Sequence, residues 1–176
     1  MHNIKNALAT VAVCRRLGID FEVIREAISE FTGVYRRFEI KGEKNGYMVV
    51  DDYAHHPSEI KATLQAARAG WNRRTVCVFQ PHTFSRTLSF YKDFGRSFDD
   101  ADILIITDVY PAREKPVEGV TGKLIADAAI QSGHKNVTYI SQFNELFAEV
   151  SKVLQAGDIV ITMGAGDIWK LAKQLL

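Results

Sequence analysis

No apolar run in the sequence approaches the roughly 20 residues that a membrane-crossing helix needs, which points to a soluble chain. A secretory signal is missing too. In "MHNIKNALATVAVCRRLGID" the arginines follow the apolar part and no cleavage site appears. Cysteine is scarce: Cys14 and Cys77 lie far apart among apolar residues, without CxxC spacing. That excludes a disulfide framework and a zinc ribbon, and reads as reduced packing cysteines of a cytosolic protein. Neither charge sign dominates, with 22 Lys and Arg against 21 Asp and Glu and a formal net charge of +1. No long-range field therefore favours nucleic acid or an anionic membrane. Internal repeats and low-complexity segments are absent. A phosphate-binding P-loop is absent as well: "GVTGKL" lacks its first glycine, where Val117 sits, and carries Leu124 after the lysine. That stretch reads instead as a helix N-terminus.

What is present fits a globular protein of ordinary domain size: 176 residues, 47% hydrophobic and 24% charged. The first part is helical. "NIKNALATVAVCRRLG" repeats apolar residues at three- and four-residue steps and stops at Gly18, and "DFEVIREAISEF" repeats the pattern from Asp20 as N-cap. The period then changes. "RRFEIKGEKNGYMVVDD" reads as two strands joined at Lys44-Asn45-Gly46, because Asn-Gly favours a tight hairpin. Helices and buried strands alternate from there: a helix from Pro57 to about Ala69, the strand "TVCVFQ", and a helix from about Arg86 to Phe98. Next come the strand "DILIITDV", the helix "TGKLIADAAIQSG", the strand "NVTYI", the helix "FNELFAEVSKVL" and the strand "DIVITMGAG" leading into "DIWKLAKQLL". Strands apolar on both faces and separated by helices predict an α/β, Rossmann-like fold. Its sheet is mostly parallel with helices on both faces, a short β-hairpin at its entry, and a helical hairpin before it. A composition shift near Gly33 marks a boundary.

In such sheets ligands sit outside the carboxyl ends of the strands. Four polar clusters follow apolar strands directly: "DDYAHHPSE", "QPHTFSRT", "TDVYPAREKP" and "MGAGD". The opposite ends carry ordinary connections such as "WNRRT" and "SGHKN". One of Asp51 and Asp52 is expected simply to cap a helix or end a strand. His55 and His56 diverge by about 100° at a helix entrance, so one faces a ligand and the other packs locally, and they are poor partners for one metal. His82 with Arg86, a turn into the next helix, makes a carboxylate clamp that the helix end would strengthen. Arg113 and Lys115 read as a solvated loop, and Gly164-Ala165-Gly166 as a tight turn.

These motifs together, "HNIKNALA", "RRFE", "DDYAHHPSEI", "FQPHTFSRT", "DVYPAREKP" and "MGAGDIWKL", resemble those of the bacterial Mur ligases, in family order over nearly the whole chain. The resemblance implies that residues 1–34 are the last helices of a central ATPase domain and residues 35–176 a C-terminal Rossmann-like domain. The N-terminal and central domains that hold the P-loop and the main magnesium ligands would be partners outside this chain. It further implies a cytoplasmic ATP-dependent ligase of peptidoglycan precursor synthesis, requiring Mg2+. Within the family, the nearest branch joins L-alanine to UDP-N-acetylmuramate through an acyl phosphate, and this chain alone would be inactive.

By motif, Asn3 and Asn6 match adenine-contacting residues and share one helix face. Arg37 matches a phosphate contact and Asp52 a ribose contact of ATP. Tyr53, His55, His82 and Arg86 match the amino-acid site, with Arg86 on the carboxylate of L-alanine and His55 as site wall or general base. No metal ligand is assigned in this chain. One departure is Thr83, where many relatives carry Arg, which leaves serine and glycine as conceivable substrates. Three alternatives stand beside this reading: the branch that recycles murein tripeptide, a free-standing metal-dependent phosphoesterase using Asp51, Asp52, His55 and His82, and a non-enzymatic nucleotide-binding module.

Overall fold

The first helix, α1 (His2–Arg16), ends where Gly18 takes a left-handed φ of 82°, its N–H bonding Arg15 O while Ile19 N bonds Cys14 O. A glycine accepts that conformation without steric cost. Asp20 then caps α2 (Phe21–Glu30), its Oδ1 accepting from Glu22 N at 2.8 Å. A computed structural model describes residues 2–31 and 33–176, with side chains from Ile4 onward. The chain divides into two compact units, Met1–Val34 and Tyr35–Leu176. In the first, Ile24 is the one buried hydrophobic among the described residues, while Ile4, Leu8, Val13, Leu17, Phe21 and Val23 are exposed.

The second unit opens with the expected hairpin, β1 (Glu39–Lys44) and β2 (Tyr47–Asp52), antiparallel with a bulge between Ile40 and Gly42. Asn45 and Gly46 both have positive φ, 50° and 81°. Two such residues make the turn whose twist matches that of paired strands. The alternation that follows comprises α3 (Pro57–Gly70), β3 (Thr75–Phe79), α4 (Phe84–Gly95), β4 (Ile103–Thr107), α5 (Lys123–Gln131) and β5 (Val137–Ile140). It closes with α6 (Leu146–Val153), β6 (Ile159–Met163) and α7 (Trp169–Gln174).

The six strands form one sheet in the order β1-β2-β6-β3-β4-β5, parallel throughout except for β1. Alternate strand residues feed two cores. Val50, Cys77, Phe79, Leu104, Ile106 and Ile161 pack beneath α3, α4 and α5. Val49, Val76, Val78, Ile105 and Val160 pack beneath α6 and α7. The helix after β6 thus lies on the opposite face from those after its neighbours β2 and β3. Adjacent connections leaving in opposite directions open a crevice at the carboxyl end of the sheet.

Helix α4 runs Phe84–Gly95, two residues earlier at its start and three at its end than the sequence suggested. Thr83 accepts from Thr87 N and Oγ1 at its carbonyl, so the helix is under way before Arg86. At the far end Gly95 lies against the Ala128 backbone, where a Cβ would stand 2.6 Å from Ala128 C, and Ser97 Oγ turns back onto Asp93 O. "GVTGKL" leads into the N-terminus of α5, as read, with Gly122 N bonding Asp108 Oδ1. Among the described residues no helix is long and apolar enough to cross a membrane.

Candidate functional site

The loops that follow β2, β3, β4 and β6 are bonded to one another along one edge of the sheet. Gly164 N reaches Asp52 O at 3.1 Å and Gln80 N reaches Met163 O at 2.9 Å. Thr83 N bonds Tyr110 O, and Tyr110 N bonds Pro81 O. Gln80 also ties the loops after β3 and β6 together: its Nε2 donates to Asp167 Oδ1 and its Oε1 accepts from Ile168 N. Gly166 fits only because it lacks a Cβ, which would stand 2.5 Å from Tyr110 Cγ and against Gln80 Oε1. All four polar clusters of the sequence share a single rim.

On that rim a wall of rings forms. Tyr53 and His55 meet edge to face with centroids 5.3 Å apart, His55 and His82 follow at 6.0 Å, and Tyr110 stacks on His82 at 5.8 Å. Arg86 Nη1 stands 3.3 Å from His82 Nδ1. The sequence-derived set Tyr53, His55, His82 and Arg86 is therefore contiguous. His56 turns away, its ring against Phe90 and its Nδ1 3.0 Å from Ser58 Oγ, as adjacent positions at a helix entrance require. Burial, reinforced by the charges of Arg86 and His55, pushes His82 below its ordinary pKa, so the ring stands neutral at pH 7.

The start of α4 differs from expectation. Its free N–H groups were to help Arg86 grip a carboxylate, yet Ser85 N and Oγ donate to Glu114 from the β4–α5 loop, at 2.9 and 2.5 Å. Those bonds hold the Glu114 carboxyl below its usual range. The helix end thus serves the chain's own carboxylate and pins the loop, leaving Arg86 as the cation beside His82.

Of the adjacent acids, Asp51 is taken by Arg36. The Arg36 guanidinium is buried, with Nε 2.7 Å from Asp51 Oδ2, Nη2 2.5 Å from Gly164 O and Nη1 3.2 Å from Gly166 O. Thr162 Oγ1 donates to the other Asp51 oxygen at 2.6 Å. Asp52 is 5% exposed and accepts from Phe38 N and Ala54 N, each at 2.7 Å. Burial raises its pKa, and the two N–H groups with nearby Arg37 only partly offset this. Through these two bonds the Asp52 carboxylate holds the segment carrying Arg37. Arg37 itself is exposed, has no hydrogen-bond partner among the described residues, and lies 5.8 Å from the Tyr53 ring, open to an anionic ligand. Asn6 is exposed on α1. The side chain of Asn3 lies outside the described residues.

Sequence reasoning missed Arg36, Glu59, Gln80 and Glu114. The doublet "RR" drew attention to its second member, though paired acids at Asp51 and Asp52 signalled a need for two partners. Glu59 stands at the third position of α3, where a capping-box acid belongs; His56 in place of Ser or Thr at the N-cap hid the pattern. Among the described residues no three His, Cys, Asp or Glu side chains gather as metal ligands. Cys77 is fully buried, which pushes its thiol far up.

A parallel sheet whose crevice is rimmed by imidazoles, arginines and tight glycine turns is the architecture of a nucleotide- and substrate-handling α/β domain. The chain belongs to the Mur ligase family, residues 36–166 matching its glutamate ligase domain. It is 52% identical over 176 residues to UDP-N-acetylmuramate–L-alanine ligase of Geobacter sp. (strain M21), covering 99% of this chain and 38% of that relative. Among solved structures, UDP-N-acetylmuramate–alanine ligase of Thermotoga maritima matches with a TM-score of 0.83 and 33% identity, covering 99% of this chain and 37% of that one. A murein peptide ligase of Psychrobacter arcticus matches with a TM-score of 0.72 and 24% identity, over 99% of this chain and 36% of that one, a likeness of fold alone.

Proposed function

We propose that this chain is the C-terminal portion of a cytoplasmic ligase that joins L-alanine to UDP-N-acetylmuramate at the expense of ATP, through an acyl phosphate, in peptidoglycan precursor synthesis. The observation that carries the reading is the contiguous wall of Tyr53, His55, His82 and Arg86 on the strand-end rim. It offers one guanidinium for a carboxylate, beside a phenol and two imidazole rings. The higher identity to the alanine ligases than to the murein peptide ligase supports the choice of branch. Arg37 carries over as the phosphate contact and Asp52 as the ribose contact of ATP, and Asp52 also fixes the segment that bears Arg37. Asn3 and Asn6 carry over as adenine contacts on the family motif alone. The phosphoesterase reading asks for grouped metal donors, and Asp51 and Asp52 are committed to Arg36 and to backbone N–H groups instead.

The chain spans 38% of the relative's length, and its function requires the preceding domains as partners, which would supply the UDP-sugar site, the P-loop and the Mg2+ ligands. The test is to mix the purified chain with the separately expressed N-terminal and central domains of the Geobacter relative. Phosphate release that depends on ATP, UDP-N-acetylmuramate and L-alanine together is the expected result, with none from the chain alone. Turnover by the isolated chain, or no turnover by the mixture, overturns the reading, and serine and glycine in place of alanine measure its specificity.

A further inference from the structure

The two histidines of the wall are locked in opposite tautomers by partners whose hydrogen-bonding sense is fixed. His55 Nδ1 lies 2.9 Å from the Tyr53 carbonyl oxygen. A carbonyl only accepts, so this nitrogen carries the hydrogen, and in the neutral ring the lone pair is left on Nε2. Glu59 Oε2, another acceptor, stands 3.4 Å from the same Nδ1. Among the described residues Nε2 has no partner. His82 is the reverse. Its Nδ1 faces Arg86 Nη1, which only donates, so the Nδ1 lone pair is occupied and the hydrogen sits on Nε2. Of the two imidazoles, only His55 offers an unoccupied acceptor.

Glu59 is the group that organises this. Its Oε2 accepts from the backbone N–H of His55 at 2.9 Å and of His56 at 3.1 Å, closing the turn into α3. Burial acts to raise its pKa, but the His55 N–H, the charge of His55, the His56 N–H and Arg37 outweigh burial and hold it ionised at neutral pH. The other charged and titratable groups around the ring are Tyr53 at the end of β2, His82 and Arg86 beyond β3, and Arg36 and Arg37 over the Tyr53 ring at 5.1 and 5.8 Å. Among these groups Glu59 is the one carboxylate.

We propose that Glu59 is a positioning residue for His55, and that His55 Nε2 takes the proton from the amino group of the incoming amino acid. The proposal rests on the ligase reading above. An ammonium has no lone pair and cannot attack an acyl carbon. One N–H bond of the ammonium therefore breaks first, its proton passing to His55 Nε2 and its electron pair staying on nitrogen. That pair forms the N–C bond, and a second N–H proton leaves the nitrogen with the departing phosphate. The ring becomes an imidazolium with both nitrogens protonated, and Glu59 stays ionised beside it. The proton then leaves to solvent, while the acyl group's phosphate departs with the electron pair of the broken C–O bond.

Two measurements test this. Long-range 1H–15N spectra of the 15N-histidine-labelled chain read the His55 tautomer directly, with no partner or substrate. The hydrogen is expected on Nδ1, and in E59Q, which can still close a capping box, the Nδ1–H fraction falls while the remaining amide spectrum is retained. In the mixed assay, H55Q lowers kcat by about 100-fold or more, within the usual contribution of a general base, and leaves KM for L-alanine within about threefold. E59Q lowers kcat by roughly tenfold with the same KM pattern, a smaller loss because the base itself remains. A His55 hydrogen on Nε2 in the wild-type chain overturns the pair and leaves the ligase reading intact, as does an H55Q mixture whose kcat is unchanged. A wild-type mixture without turnover overturns the ligase reading and the pair's chemical role with it.

Discussion

Arg36 illustrates how much a single side chain carries. It is the partner of a buried carboxylate and the donor to two carbonyls of the glycine turn after β6. Removing one member of a buried ion pair strands the other charge, at a cost of about 3–5 kcal/mol. Arg36→Met is expected to destabilise the chain by about that amount in urea titration, and Asp51→Asn added to it should recover part of the loss. At this scale the sequence was only half legible. Motif and strand-end position marked out Tyr53, His55, His82 and Arg86, because polar residues directly after an apolar strand have few other places to go. Which acid of "DD" met which partner was not legible, since both partners come from segments brought in by the hairpin and by β6. Glu114 was hidden for the same reason: it is 29 residues from the Ser85 it caps.

Among the elements, alternation of buried runs with helical periods gave the strands and helices, and Asn-Gly gave the hairpin turn. The ends of α4 were misread because they answer to tertiary contacts: the β4 loop at Thr83 and the Ala128 backbone at Gly95. The turn after β6 behaves alike. "GAG" looked like an ordinary tight turn, yet Gly166 is where the β6 loop closes against Gln80 and Tyr110. Gly166→Ala inserts a methyl into that contact and is expected to destabilise by about 1–3 kcal/mol, the usual penalty for overpacking. Urea titration measures the loss. A matching shift of the Tyr110 and His82 resonances would locate it on the rim.

For the molecule as a whole, the hydrophobic clusters and the aromatic residues packed against them are drawn from Phe38 onward. A polypeptide of residues 35–176 is therefore expected to fold by itself, with one cooperative urea transition and an m-value of about 1–3 kcal/mol/M. A gradual, non-cooperative loss of ellipticity would contradict it. Fold class was legible in the sequence, since buried strands separated by helices leave few alternatives. Strand order was not, because nothing local in "DIVITM" states that it belongs between β2 and β3.

That insertion has a consequence for biosynthesis. The strand at the middle of the sheet is the last to leave the ribosome, so the nascent chain holds two separate sheet fragments, each with a bare hydrogen-bonding margin. At about 5–20 residues per second, translation from the end of β5 to the end of β6 occupies on the order of a few seconds. During that interval the facing margins of β2 and β3 can pair with any other extended peptide. A messenger or ribosome stalled within this stretch would release an adhesive half-sheet instead of a folded domain.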